Sequence, residues 1–156
     1  MNFRTEIEPK SPFRISHKDR VLFLGSCFAQ NISAKASYYG LTAYHPFGAI
    51  YNPASVLNSV KMLAEGAAIT EDELIEDKGL YSHYSFHSSY SRSTKAEAMQ
   101  VMNSEIAAGK EFWSKADIVI LTFGTARTYT LRSSGEVVAN CHHTDQKEFQ
   151  KGSLSI

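Results

Sequence analysis

Val21-Leu22-Phe23-Leu24-Gly25-Ser26-Cys27-Phe28-Ala29 joins an unbroken apolar run to a glycine–serine turn. Consecutive apolar residues without polar alternation are expected of a strand covered on both faces, as in parallel sheets. Gly25 and Ser26 end the run. Phe28, Ile32, Ala36 and Tyr39 then recur at helical spacing as far as Gly40, a natural C-terminal stop. Strand, tight turn and helix in this order open a βα unit.

The pattern continues outward. Residues 41–45 read as a second strand and Pro46-Phe47-Gly48 as a turn. Asn52-Pro53 supplies an N-cap and a first-turn proline for a helix whose apolar stripe is Val56, Leu57, Val60, Leu63 and Ala64, ended by Gly66. Thr70 and Glu73 fit a capping box for a short helix from Glu71. Residues 77–93 carry Tyr81, His83, Tyr84, Phe86, His87 and Tyr90 among serines without helical period, which predicts an aromatic loop with room for one short strand. Thr94 and Glu97 open a helix running to Lys115, with Met99, Met102, Ile106 and Trp113 on one face. Residues 117–122 form a second strongly apolar strand, followed by Phe123-Gly124-Thr125-Ala126. Residues 128–131 and 136–139 read as a hairpin around Ser133-Ser134-Gly135.

Alternating strands and helices predict a mainly parallel sheet with right-handed crossovers and helices on both faces, a three-layer α/β/α sandwich. The chain reads as part of one domain, residues 1–156, preceded over residues 1–20 by a polar lead-in arm. Three core strands and a hairpin are few for such a sheet. An exposed edge, and with it a homo-oligomer, is therefore expected.

With 156 residues, 43% of them hydrophobic, the chain can bury a core. Lys plus Arg and Asp plus Glu both number 16, a balance without the footprint of a nucleic-acid or anionic-membrane binder. The two cysteines, Cys27 and Cys141, make neither a disulfide framework nor a zinc pattern. No signal-peptide or membrane-spanning run is seen, and the expectation is a cytoplasmic protein without metal or cofactor.

Ligands of parallel α/β sheets bind beyond the carboxyl ends of the strands. Gly25-Ser26, Phe47-Gly48 and Gly124-Thr125 all fall at such ends. A serine at the start of a helix can attack a carbonyl, with its own N–H holding the oxyanion, or it can simply cap the helix. Cys27 is the rival nucleophile, since a helix N-terminus lowers a thiol's pKa, or a small residue packing behind Ser26. Gly48 offers an N–H or merely a turn. Asn52 offers a side-chain amide or merely a cap. Among the histidines, His87 and His142 are possible accessory groups. Cys141-His142-His143 lacks further ligands for a metal.

Gly25-Ser26-Cys27-Phe28-Ala29 resembles the signature of the GSCFA-domain family. The likeness continues through Pro46-Phe47-Gly48 with Tyr51-Asn52-Pro53, His87-Ser88, Thr122-Phe123-Gly124-Thr125 and Asn140-Cys141-His142, covering residues 21–143. The family is similar to SGNH (GDSL-like) hydrolases, which cleave or transfer acyl groups of esters. The resemblance implies a small-molecule or carbohydrate acyl ester as substrate and Ser26 as nucleophile. It implies an oxyanion hole drawn from Gly48, Gly124, Asn52 and Thr125. Two departures stand out. The first SGNH block, Gly-Asp-Ser, has its nucleophile third, where this chain has Cys27. The Asn of the third block is replaced by Ala126. The Asp-x-x-His that supplies the base in SGNH enzymes does not occur in these residues, so a truncated chain is expected, catalytically silent alone. The alternative is a non-catalytic domain that binds a glycan or a protein.

Overall fold

The computed structural model describes residues 10–155. The first nine residues of the expected lead-in arm lie outside the described residues. The chain begins with β1 (Arg20–Gly25) and α1 (Cys27–Tyr38), followed by β2 (Thr42–Tyr44) and α2 (Pro53–Glu65). A hairpin of β3 (Ile75–Asp77) and β4 (Leu80–Ser82) precedes α3 (Lys95–Trp113). β5 (Ile118–Thr122), β6 (Arg127–Leu131) and β7 (Phe149–Ser153) complete the order. The fold is mixed α/β. Its central sheet has three parallel strands in the order β2-β1-β5, with Leu24 opposite Leu121 and Gly25 opposite Thr122.

Alternation along β1 sorts its side chains between two clusters. Leu22 and Leu24 join Val56 and Leu63 of α2 and Ala98, Met102 and Ile106 of α3, together with Phe47, Ile50 and Phe86. Val21 and Phe23 face Ala29 and Ala36 of α1. Both faces of β1 are therefore dry, which is why its sequence shows no alternation. Among the described residues no helix is long and apolar enough to cross a membrane.

Several elements differ from expectation. Helix α1 docks through the small residues Ala29 and Ser33, and the large residues Phe28, Ile32 and Tyr39 face outward. Small side chains let the helix backbone approach the sheet closely, so the bulkier stripe one position away is turned from it. In α2 the buried face is Ser55, Val56, Ser59 and Leu63, with Leu57 exposed. Ser59 satisfies its buried hydroxyl on the Ser55 carbonyl, 3.1 Å away, so the helix hides a serine that periodicity leaves outside.

The short helix from Glu71 is a single 3₁₀ turn, and its capping box is formed. The aromatic loop begins with the β3–β4 hairpin, whose Lys78 and Gly79 both have positive φ, 51° and 77°, as a tight two-residue hairpin turn requires. The expected 128–139 hairpin is largely replaced. β6 pairs antiparallel with β7, and residues 136–138 keep only a bridge at Val137 and flanking hydrogen bonds. The closing turn at Ser133–Gly135 is local, but the five-residue ladder to β7 is longer and takes the strand.

Candidate active site

The site is built where β1 and β5 end side by side. Gly25 has φ +131°, and a Cβ there would lie 2.0 Å from the Thr122 carbonyl oxygen. Only glycine permits this approach. Ser26 then has N-cap backbone geometry for α1, yet its side chain caps nothing. Its Oγ lies 3.0 Å from Thr122 Oγ1, and its N–H donates to the same oxygen at 3.0 Å. The hydroxyl is thus drawn off the helix end toward the neighbouring strand end. Ser26 is nearly buried, at 8% exposed.

The other residues expected at the site divide into those brought to Ser26 and those held elsewhere. Gly124 packs against it: a Cβ on Gly124 would stand 3.6 Å from Ser26 Cβ and 2.9 Å from the Tyr51 ring. The Gly124 and Thr125 N–H groups both donate to the Tyr51 carbonyl, at 2.8 and 3.1 Å. Both amides are therefore engaged within the fold. Thr125 Oγ1 accepts from the Arg127 N–H at 3.1 Å. Gly48, in left-handed conformation at φ +74°, packs on His87, whose Cβ would sit 2.4 Å from an added Cβ. Two residues on, the Ile50 N–H donates to the Gly25 carbonyl at 2.7 Å, tying this turn to the nucleophile turn. Asn52 performs its capping role, accepting from the Ser55 N–H at 2.8 Å, while its Nδ2 is bonded to no described residue.

Cys27, the first residue of α1, is exposed. Its side chain pushes the Tyr51 phenol above its ordinary range, with burial adding to the effect. Cys27, Tyr51, Gly124, Ser26 and Thr122 therefore share one rim of the sheet.

The accessory histidines are occupied by their own loops. His87 Nδ1 accepts from the Ser89 N–H at 3.2 Å and caps the 3₁₀ turn at Ser88–Tyr90. His142 Nε2 donates to the His83 carbonyl at 3.0 Å, and His83 Nδ1 accepts from the Ser85 N–H at 3.1 Å. Burial lowers the pKa of both His83 and His142. Neither His87 nor His142 is a hydrogen-bond partner of Ser26; the bonds of its hydroxyl among the described residues lead to Thr122 alone. No group of three or more metal-ligating side chains is present among the described residues.

One residue of this region escaped the sequence reading. His45 follows β2 directly and precedes the Pro46-Phe47-Gly48 turn, and both its ring nitrogens are buried without a partner. Burial lowers its pKa, and the carbonyls of Gly25 and of His45 itself oppose that fall. Its place at the carboxyl end of a strand was the available signal.

A family model described as the GSCFA family matches residues 20–156. No curated protein and no solved structure matches the chain.

Proposed function

Because the chain belongs to the GSCFA family, we propose that it carries the nucleophile side of a serine acyl-hydrolase or acyltransferase site, in a three-layer arrangement like that of SGNH hydrolases. The substrate class is a small-molecule or carbohydrate acyl ester. The observation that carries this reading is the Ser26 side chain, released from its capping duty and bonded to a hydroxyl at the carboxyl end of the neighbouring strand β5. An N-cap serine serving only the helix bonds a backbone N–H of the first turn.

In the reaction, Ser26 Oγ attacks the ester carbonyl, the acyl–oxygen bond breaks, and the alcohol leaves with the serine's proton. Water or a second alcohol then takes the acyl group from Ser26. Thr122 Oγ1 orients the serine hydroxyl. Asn52 Nδ2, bonded to no described residue, and the Ser26 N–H, held by a side-chain hydroxyl that can turn away, are the donors best suited to the oxyanion, since the Gly124 and Thr125 N–H groups are held by the Tyr51 backbone carbonyl. A histidine base must reach Ser26 Oγ from beyond its present partners, and the family resemblance assigns that role to an Asp-x-x-His.

The test is covalent labelling with a fluorophosphonate probe and identification of the modified peptide. Label on Ser26, slow where the Asp-x-x-His base is absent but lost in Ser26→Ala and kept in Cys27→Ser, is the expected result. Label lost in Cys27→Ser but kept in Ser26→Ala would move the nucleophile to Cys27. A second reading, a glycan- or protein-binding domain without catalysis, is favoured by the Ser26 hydroxyl having a threonine, and no base, as partner. A folded chain that takes no label at all supports that reading.

A further inference from the structure

A neutral imidazole carries one N–H donor and one lone pair, and burying both without partners is unfavourable. His45 is in this position. Its surroundings are set by the fold. β2 runs parallel to β1 with Leu22 opposite Tyr44, so His45 is the next residue toward the Gly25–Ser26 turn. The turn that follows it closes on that same place, where the Ile50 N–H meets the Gly25 carbonyl at 2.7 Å. A carbonyl oxygen has two lone pairs, so Gly25 retains one after binding Ile50. The carbonyls of Gly25 and of His45 itself are the two groups that oppose the fall in the imidazole's pKa on burial.

The Gly25 carbonyl and the Ser26 N–H are opposite ends of one planar peptide unit. Whatever fixes the carbonyl therefore fixes the direction of the N–H. Donation to the carbonyl also polarises the unit and makes its N–H a stronger donor. The Ser26 N–H lies within the site, directed now at Thr122 Oγ1, 3.0 Å away.

We propose that His45 is a positioning residue: its ring N–H takes the free lone pair of the Gly25 carbonyl, and through that peptide it orients and strengthens the Ser26 N–H as an oxyanion donor. The ring touches neither substrate nor Ser26 Oγ in this role. The catalytic part of the inference rests on the reading of Ser26 as nucleophile, whereas the structural part does not.

Two measurements on the full chain separate these parts. The first is the rate of fluorophosphonate labelling at Ser26 in the wild type, His45→Phe and His45→Gln, with a thermal melt of each variant. Phe keeps a ring and loses the donor; Gln keeps a donor. Labelling slowed on the order of tenfold in His45→Phe and largely restored in His45→Gln is expected, a smaller loss than removal of an oxyanion donor outright. Equal rates in all three, or equal losses in both variants, overturn the proposal. The second is the amide proton shift of Ser26 by NMR, with the ring tautomer of His45 read from its nitrogen shifts. A Ser26 shift displaced in His45→Phe and close to wild type in His45→Gln supports the positioning role even in a chain that takes no label, the outcome that sinks the nucleophile reading. A Ser26 shift unmoved by His45→Phe overturns the proposal whatever the labelling shows. Should His45→Phe fail to melt cooperatively, His45→Leu replaces it with the same expected outcomes.

Discussion

Gly25 shows how one residue couples stability to the site. Its φ of +131° and the 2.0 Å approach of the Thr122 carbonyl leave no room for a side chain. Gly25→Ala is expected to cost at least about 2 kcal/mol, from backbone strain and from prising β5 away from β1. Denaturant unfolding measures this, and a loss under 0.5 kcal/mol, the scale of an ordinary surface change, would refute it. Asn52 permits a cleaner separation of roles. Asn52→Asp keeps the oxygen that accepts from Ser55 N–H and loses the Nδ2 donor. Stability should stay within about 1 kcal/mol of wild type, since Asp is as good an N-cap as Asn. Labelling of Ser26 should nevertheless fall on the order of a hundredfold if Nδ2 serves the oxyanion. Equal labelling in the two proteins would reduce Asn52 to a cap. The capping role was legible from Asn-Pro. The free Nδ2 was not, because it depends on what the fold places beside it.

Among the elements, helices α2 and α3 form the principal core with Leu63, Met102 and Ile106. Leu63→Ala should destabilise the chain by about 2–5 kcal/mol, since the site is fully buried and its neighbours come from several elements. A second coupling joins the segment after Val138 to the aromatic loop. Ala139 and Asn140 N–H groups donate to the Tyr84 carbonyl at 3.0 and 3.1 Å, and His142 donates to the His83 carbonyl. Burial holds His83 and His142 below the ordinary histidine range, so the folded chain keeps them neutral where the unfolded chain takes up protons. Their stabilisation is complete above the unfolded pKa of about 6.5 and declines as pH falls below it toward the lower folded values. Chemical denaturation at about pH 7.5 and about pH 5, on either side of that pKa, should show the loss. His83→Gln should reduce the slope without abolishing it, because His142 and His45 are depressed in the same direction. An unchanged slope in His83→Gln would remove His83 from this account. These contacts join residues far apart in the chain, and the serine-rich 77–93 stretch offers no period from which to foresee them.

At the scale of the whole molecule, the sheet has an uncovered flank. β5 is an edge strand of the three, and Val119 and Leu121 stand exposed on it beside Phe123, while α1 presents Phe28 and Tyr38, with its C-cap Tyr39, outward. Edge strands and apolar patches of this kind favour association. Light scattering is expected to return a mass above the 17.4 kDa of one chain, and Leu121→Lys should shift it toward the monomer. A monomer at all concentrations would refute this.

The sequence alone specified the parallel α/β core. The continuous apolar run at 21–24 is what a strand covered on both faces needs, whereas the apolar stretch of β5 has one face covered and leaves Val119 and Leu121 exposed; caps and glycines mark where α2 and α3 begin and α2 ends. It also determined that Ser26 stands at the turn from β1 to α1. Tertiary packing settled what periodicity cannot express. It decided which stripe of α1 faces the sheet, because close backbone approach selects small residues over large ones. It decided that β6 pairs with β7, because a distant strand with a longer ladder displaces a local hairpin. It decided, finally, which polar groups near Ser26 are already bonded and which are left over, since hydrogen-bond satisfaction is a property of neighbours in space: the amides of Gly124 and Thr125 are engaged, and the imidazole of His45 is not.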